Sequence, residues 1–188
     1  LKAKDVAFGG IMIAMFVAIG MVFSVDIRVM QTYLEILKTV IAAVCVRFIS
    51  DKASIVFLIA CFFVCLILLP IHTTIIYNVP SLIGGFFIGR MKKRMRFPEF
   101  IVFFVVNTVM IFYEFFVYGF FMQTNLFEMY TAGASDIVNG IINVPVSGFL
   151  TKIIFIMFIL GDSAFSSLVI FNVSKFAIRR FEALQNKI

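Results

Sequence analysis

Ala53-Ser-Ile-Val-Phe-Leu-Ile-Ala-Cys-Phe-Phe-Val-Cys-Leu-Ile-Leu-Leu69, closed by Pro70, runs without a single charge. A barrel strand alternates apolar and polar residues over about 10 positions. This run is continuous and longer, so it reads as a helix that crosses a bilayer, a task needing about 20 residues. Similar stretches lie on either side. Val6 to Val25 precedes it, followed by a polar stretch from Asp26 to Thr32. Tyr33 to Ser50 comes next and is the least apolar, carrying Glu35, Lys38 and Arg47. Asp51-Lys52 turns the chain into the quoted run. After Ile71-His72-Thr73-Thr74 come Ile75 to Gly89 and then Glu99 to Gln123, which is rich in aromatic residues. The longest polar loop is expected from Thr124 to Asp136. Ile137 to Leu160 is apolar but punctuated by Gly140, Pro145 and Gly148. Gly161-Asp162-Ser163 is expected to interrupt it before Ala164 to Arg180 resumes.

Composition agrees. Of 188 residues, 63% are apolar, 16% aromatic and only 14% charged, and the mean hydropathy is +1.12. Soluble domains are roughly 45–50% apolar and about 25% charged. Disorder would need a polar, charged chain. Six spans of about 20 residues leave too little for an extramembrane domain. The expectation is an all-α integral membrane protein with about six transmembrane helices in one compact bundle, a single domain over 1–188. The first apolar run lacks a small-residue cleavage site and is read as a span, not a signal peptide.

Charge gives the orientation, because Lys and Arg collect in cytoplasmic loops. With six spans and both termini inside, Lys2 and Lys4, Arg47 and Lys52, the basic run Arg90 to Arg96 and the residues from Lys175 onward all face the cytoplasm. Only Arg28, Lys38 and Lys152 lie elsewhere. The net charge of +6 is therefore read as topology and contact with anionic lipid. Nucleic acid is not an expected partner. Cys45, Cys61 and Cys65 are read as small packing residues.

Several chemistries lack their residues. There is no Gly-x-x-x-x-Gly-Lys phosphate loop and no His-Glu-x-x-His helix. One histidine, His72, is too few for a usual zinc site. No cofactor, no metal and no catalytic activity is expected. Polar groups do recur at one level. Asn107, Ile111, Glu114 and Tyr118 are spaced to share one helix face, with Tyr113 beside them. A carboxylate at membrane depth must face protein, water or a ligand. His72, Tyr77, Asn78, Asn139 and Asn143 fall at the same expected level. Amides, phenols and aromatic faces together suit an organic ligand, although each alone also serves as a helix-packing contact. Gly10, Ala14 and Ala18, four apart, form a stripe that lets another helix approach closely.

With six spans, no ATP site and an outward-facing polar pocket, the chain resembles the substrate-binding S components of energy-coupling-factor (ECF) vitamin transporters. Ala14-Met-Phe-Val-Ala18 is similar to the Ala-x-x-x-Ala pattern of that family's first span. Asn78-Val-Pro80, Gly84-Gly85 and Gly89-Arg90 before a basic run are similar to its fourth span. Phe149-Leu-Thr-Lys152 is similar to the start of its last. The Gly-Pro turn frequent between spans two and three is replaced here by Ser50-Asp51-Lys52-Ala53, and no vitamin-specific motif is present. The resemblance implies a bacterial plasma-membrane subunit that captures a vitamin-like ligand from outside. It also implies partners: a transmembrane coupling subunit, docked through Gly10, Ala14 and Ala18, and two ATP-hydrolysing subunits. The pocket would be built from Asn78, Glu114, Tyr118, Asn139 and Asn143. A non-transporting membrane scaffold is the alternative, in which the stripe is the main surface and Glu114 a structural contact.

Overall fold

The computed structural model describes residues 2–22, 28–91, 97–123 and 148–185, together with 125, 128–129, 131–133, 136 and 140. All the regular secondary structure among them is helical: α1 (Ala3–Val22), α2 (Arg28–Phe48), α3 (Asp51–Leu68), α4 (Ile71–Thr73), a π-turn (Thr74–Asn78), α5 (Val79–Arg90), α6 (Phe97–Met122) and α7 (Gly148–Gln185). Ala3–Met21, Asp51–Leu68, Ile71–Arg90, Phe97–Phe121 and Gly148–Leu184 are long and apolar enough to cross a membrane. The chain is a multi-pass, all-α membrane protein. In hydrocarbon each backbone N–H and C=O must be satisfied within the chain, and helices do that locally.

The charged helix lies innermost. At 21 residues α2 is long enough to cross, yet its charges set it apart from the other five. Every position from Lys38 to Val46 is buried, and α2 contacts α1, α3, α5 and α7. A helix walled by other helices need not be apolar, since its polar groups face protein rather than lipid.

Its closest neighbour is α5, and glycine makes that approach. A Cβ added at Gly85 would lie 2.8 Å from the Thr39 carbonyl oxygen and would collide with Ala42. At Gly89 it would lie 2.7 Å from the Ala43 carbonyl oxygen and 2.8 Å from Val46 Cβ. Gly85 and Gly89 face Ala42 and Ala43, so the two backbones nearly touch.

One end of the bundle gathers the charges. Asp5 accepts a hydrogen bond from Ser50 Oγ at 2.7 Å, which ties the start of α1 to the α2–α3 turn. Arg90 pairs with Asp51. The Met91 carbonyl, at the negative end of α5, accepts from Arg47 at 3.5 Å and from Lys175 at 3.3 Å. Arg47 also pairs with Glu182 at 3.6 Å. The rings of Phe48 and Phe181 meet at 6.1 Å, and those of Phe8 and Phe48 at 6.4 Å.

Some boundaries differ from expectation. His72 to Thr74 are not a loop, because Pro70 ends α3 and the chain re-enters a helix at Ile71. The helix of the second run starts at Arg28, inside the expected polar stretch. Gly161-Asp162-Ser163 does not interrupt the last segment, since α7 is continuous through all three. Glycine within a helix costs only about 1 kcal/mol relative to alanine, far less than opening the backbone in hydrocarbon. In the expected 124–136 loop, residues 128–129, 131–133 and 136 are helical rather than irregular, whereas 124, 126–127, 130 and 134–135, and all of 137–147 but 140, lie outside the described residues. α6 and α7 run antiparallel, for the ring of Phe115 meets that of Phe155 edge-on at 6.0 Å and Phe103 meets Phe171 at 6.4 Å.

Gly85→Val and Gly89→Val are expected to lower stability by about 3 kcal/mol or more, the upper range for overpacking, because neither backbone can retreat. Gly10→Ala should instead raise it, by up to about 1 kcal/mol, the helix preference of alanine over glycine, since a Cβ there meets nothing within 4 Å. Thermal or denaturant unfolding of the three variants in detergent checks both statements.

Candidate functional site

A cavity of about 40 Å³ lies between α2, α5, α6 and α7. Glu35 and Thr39 line it from α2, Pro80, Ser81 and Gly84 from α5, and Ile170 from α7. From α6 come Phe103, Val106, Asn107, Met110 and Glu114. Gly84 opens the wall towards α2, because a Cβ there would sit 3.4 Å from Thr39 Cγ2. Two half-buried carboxylates, Glu35 and Glu114, thus line one small space inside a membrane bundle.

The hydroxyls in the wall are mostly committed to their own helices. Thr39 Oγ1 donates to the Glu35 carbonyl at 2.7 Å, and Ser81 Oγ donates to the Tyr77 carbonyl at 3.0 Å. Asn107 donates from Nδ2 to Ser163 O, Ser166 Oγ and Ser167 Oγ at 3.3, 2.9 and 3.0 Å. It is chiefly a clamp between α6 and α7. Thr108 and Ser163 share a hydrogen bond of 2.7 Å at the same level.

A second polar cluster stands behind α2. Lys38 is buried, and its ammonium donates to Asn78 Oδ1 at 2.8 Å. The ring of Phe16 lies 5.9 Å from the Lys38 nitrogen. Asn78 is wholly buried, and its Nδ2 has no hydrogen-bond partner among the described residues. This asparagine ends the π-turn, and Pro80 explains the carbonyl left behind it. Val79 N–H bonds the Thr74 carbonyl, five residues back. In that register the next donor would reach Ile75, but proline has no N–H. Tyr113 supplies it instead, donating from its hydroxyl to the Ile75 carbonyl at 3.1 Å. A π-turn inside a helix is frequently found at functional sites.

Of the residues singled out in the sequence, Asn107 and Glu114 are brought together in the cavity wall, as their shared face predicts. Tyr118 is half-buried one turn beyond Glu114 and is not part of the wall. Asn78 is buried beside Lys38 and does not line the cavity either. Tyr77 is half-buried and takes part through its carbonyl. His72 is exposed in α4, away from the site, because the helix that begins at Ile71 turns it outward. Asn139 and Asn143 lie outside the described residues. Gly10, Ala14 and Ala18 are all exposed on α1, so the stripe is not used for packing within the described chain.

Glu35 and Lys38 were missed as site residues. The signal was present: two opposite charges three apart, on one helix face, in an otherwise apolar run. Intramembrane ionisable residues mark function by default.

The cavity sets a size limit. A buried water needs about 10–15 Å³ of such space, whereas pockets for organic ligands measure roughly 300–1,000 Å³. The space accommodates a few waters or a small ion, not a vitamin. No family model, no curated protein and no solved structure matches the chain.

Breaking the Lys38–Asn78 pair should cost more from one side than from the other. Asn78→Leu leaves a buried ammonium without its acceptor, a loss of about 3–5 kcal/mol. Lys38→Met leaves only a neutral amide, about 1–3 kcal/mol. The double variant is expected to be more stable than Asn78→Leu alone, which a double-mutant cycle on unfolding free energy measures.

Proposed function

We propose that this chain is the solute-binding subunit of a membrane importer, of the type of the ECF S components. It crosses the bilayer six times, with α2 as the sixth span and both termini in the cytoplasm. One observation carries the reading: Glu35 and Glu114 approach one space from different helices, at a depth where a carboxylate with nothing to bind costs several kcal/mol. Basic residues gathered at one end of the bundle, where Arg47, Arg90 and Lys175 meet, support the orientation.

The acidic wall favours a guest that is cationic or rich in hydrogen-bond donors. Glu114 accepts from it or balances its charge, and Glu35 does the same from α2. A vitamin-sized guest exceeds the closed cavity several-fold, so capture requires α6 to draw back from α2 and α5. Half-buried polar residues towards the same end, Tyr77 and Tyr118, then meet the guest on its way in. The exposed Gly10, Ala14 and Ala18 face docks on a transmembrane coupling subunit, and two ATP-hydrolysing subunits complete the importer in the bacterial plasma membrane.

The tight closure favours a second reading, a membrane scaffold without a ligand. In it Glu114 is a structural contact and the α1 stripe the working surface.

Thermal unfolding of the purified protein against a panel of vitamins and organic amines separates the two. The importer reading expects one compound to raise the melting temperature and Glu114→Gln to weaken its binding at least tenfold, about 1.4 kcal/mol. Ala14→Trp should leave that binding intact and abolish assembly with the coupling subunit. Silence across the panel, with unchanged stability in Glu114→Gln, contradicts the importer reading and supports the scaffold.

A further inference from the structure

We propose that the outward face of α7 around Gly161 and Asp162 receives a membrane-spanning helix of another protein, and that this helix presents a cationic side chain to Asp162. The inference needs only the multi-pass membrane fold, and it stands whether or not the solute-binding reading does.

The depth of Asp162 follows from its neighbour. Ser163 bonds Asn107 and Thr108, which lie well inside α6, itself 26 residues long. Its level is therefore near the middle of the hydrocarbon. The polar residues that α7 turns inward here, Ser163, Ser166 and Ser167, are all engaged with α6. Asp162, four residues before Ser166, lies on the exposed flank of the α6–α7 seam, where the charge it acts on is the like charge of Glu114. It is exposed and has no hydrogen-bond or ion-pair partner among the described residues.

A carboxylate is among the costliest groups to leave against lipid at the bilayer centre, and the aspartate stem is too short to reach the interface as lysine does. The same spot has room for a second backbone. Gly161 is exposed, and a Cβ there would meet nothing within 4 Å. Phe158 and Phe165, 72% and 69% exposed, lie one turn to either side of Asp162. Small residues flanked by large ones form a notch into which a helix fits, the way helices associate in lipid.

Charge decides the occupant. A second copy of this chain, inserted with the same orientation, would bring Asp162 opposite Asp162. The exposed lysine of the same helix, Lys152, is ten residues away, about 15 Å along the axis at 1.5 Å per residue. Self-association therefore offers no exposed cation at this depth among the described residues of α7. Lysine, arginine or histidine on a different membrane-spanning helix does, and an opposite charge in a low-dielectric setting binds strongly.

The test uses the full chain in its native membrane, with a photo-crosslinking amino acid in place of Phe165. The expected adduct joins this position to a membrane-spanning peptide of another protein that contains Lys, Arg or His. Its yield should fall at least tenfold in Asp162→Leu and persist in Asp162→Glu. Purified Asp162→Leu should melt at or above the wild-type temperature, because the charge serves the partner and not the fold. Adducts only to lipid, to a second copy or to residues 124–147 of the same chain overturn the proposal. So does a yield unchanged by Asp162→Leu, or a lowered melting temperature in that variant.

Discussion

The contact between the α2 and α5 backbones governs the rest of the structure. Gly85 and Gly89 carry no Cβ, so α5 settles directly on Ala42 and Ala43. With α1, α3 and α7 on its other sides, α2 is shielded without a gap from Lys38 to Val46. Only a helix in that position can carry Glu35 and Lys38 through hydrocarbon. In water the hydrophobic effect would choose the most apolar helix for the centre. In lipid the choice reverses, because tails solvate apolar side chains as well as protein does, and the interior is where polar groups find partners.

Two polar stations follow from that placement. In one, Lys38 reaches Asn78 at the end of the π-turn. In the other, one turn back along α2, Glu35 lines with Thr39, Ser81, Asn107 and Glu114 a space that holds only a few water molecules. The hydroxyls and the Asn107 amide are spoken for by helix carbonyls and serines, and Glu35 and Glu114 add two acidic residues to the lining. The chemistry of the wall suits a cation or a donor-rich guest, and the volume requires helix movement for anything of vitamin size. A solute-binding subunit and a rigid scaffold differ on that movement alone.

The sequence announced the membrane helices through uninterrupted apolar runs such as Ala53 to Leu69, and Pro70 marked the end of α3 correctly. The face shared by Asn107 and Glu114 was legible because 3.6-residue periodicity does not depend on tertiary structure. Glu35 and Lys38 were visible as charges but not as site residues. Their role depends on which helix is central, and that is settled by glycines more than forty residues away. Gly161-Asp162-Ser163 looked like a break because glycine, aspartate and serine favour turns in water; in hydrocarbon an unpaired backbone is the greater penalty, and the helix continues. The π-turn left a trace only in Pro80, whose missing N–H Tyr113 makes good from a distant helix.

The central claim is that α2 and α5 meet along the cavity wall inside the bilayer. Disulfide formation between Thr39→Cys and Gly84→Cys tests it most directly, in a variant whose Cys45, Cys61 and Cys65 are replaced by alanine. A Cβ at position 84 lies 3.4 Å from Thr39 Cγ2, so the two sulfurs fall within bonding reach. Near-complete disulfide in native membranes under mild oxidant, with neither thiol labelled by a membrane-permeant maleimide, is the expected result. Free thiols at both positions that the maleimide labels would contradict the account.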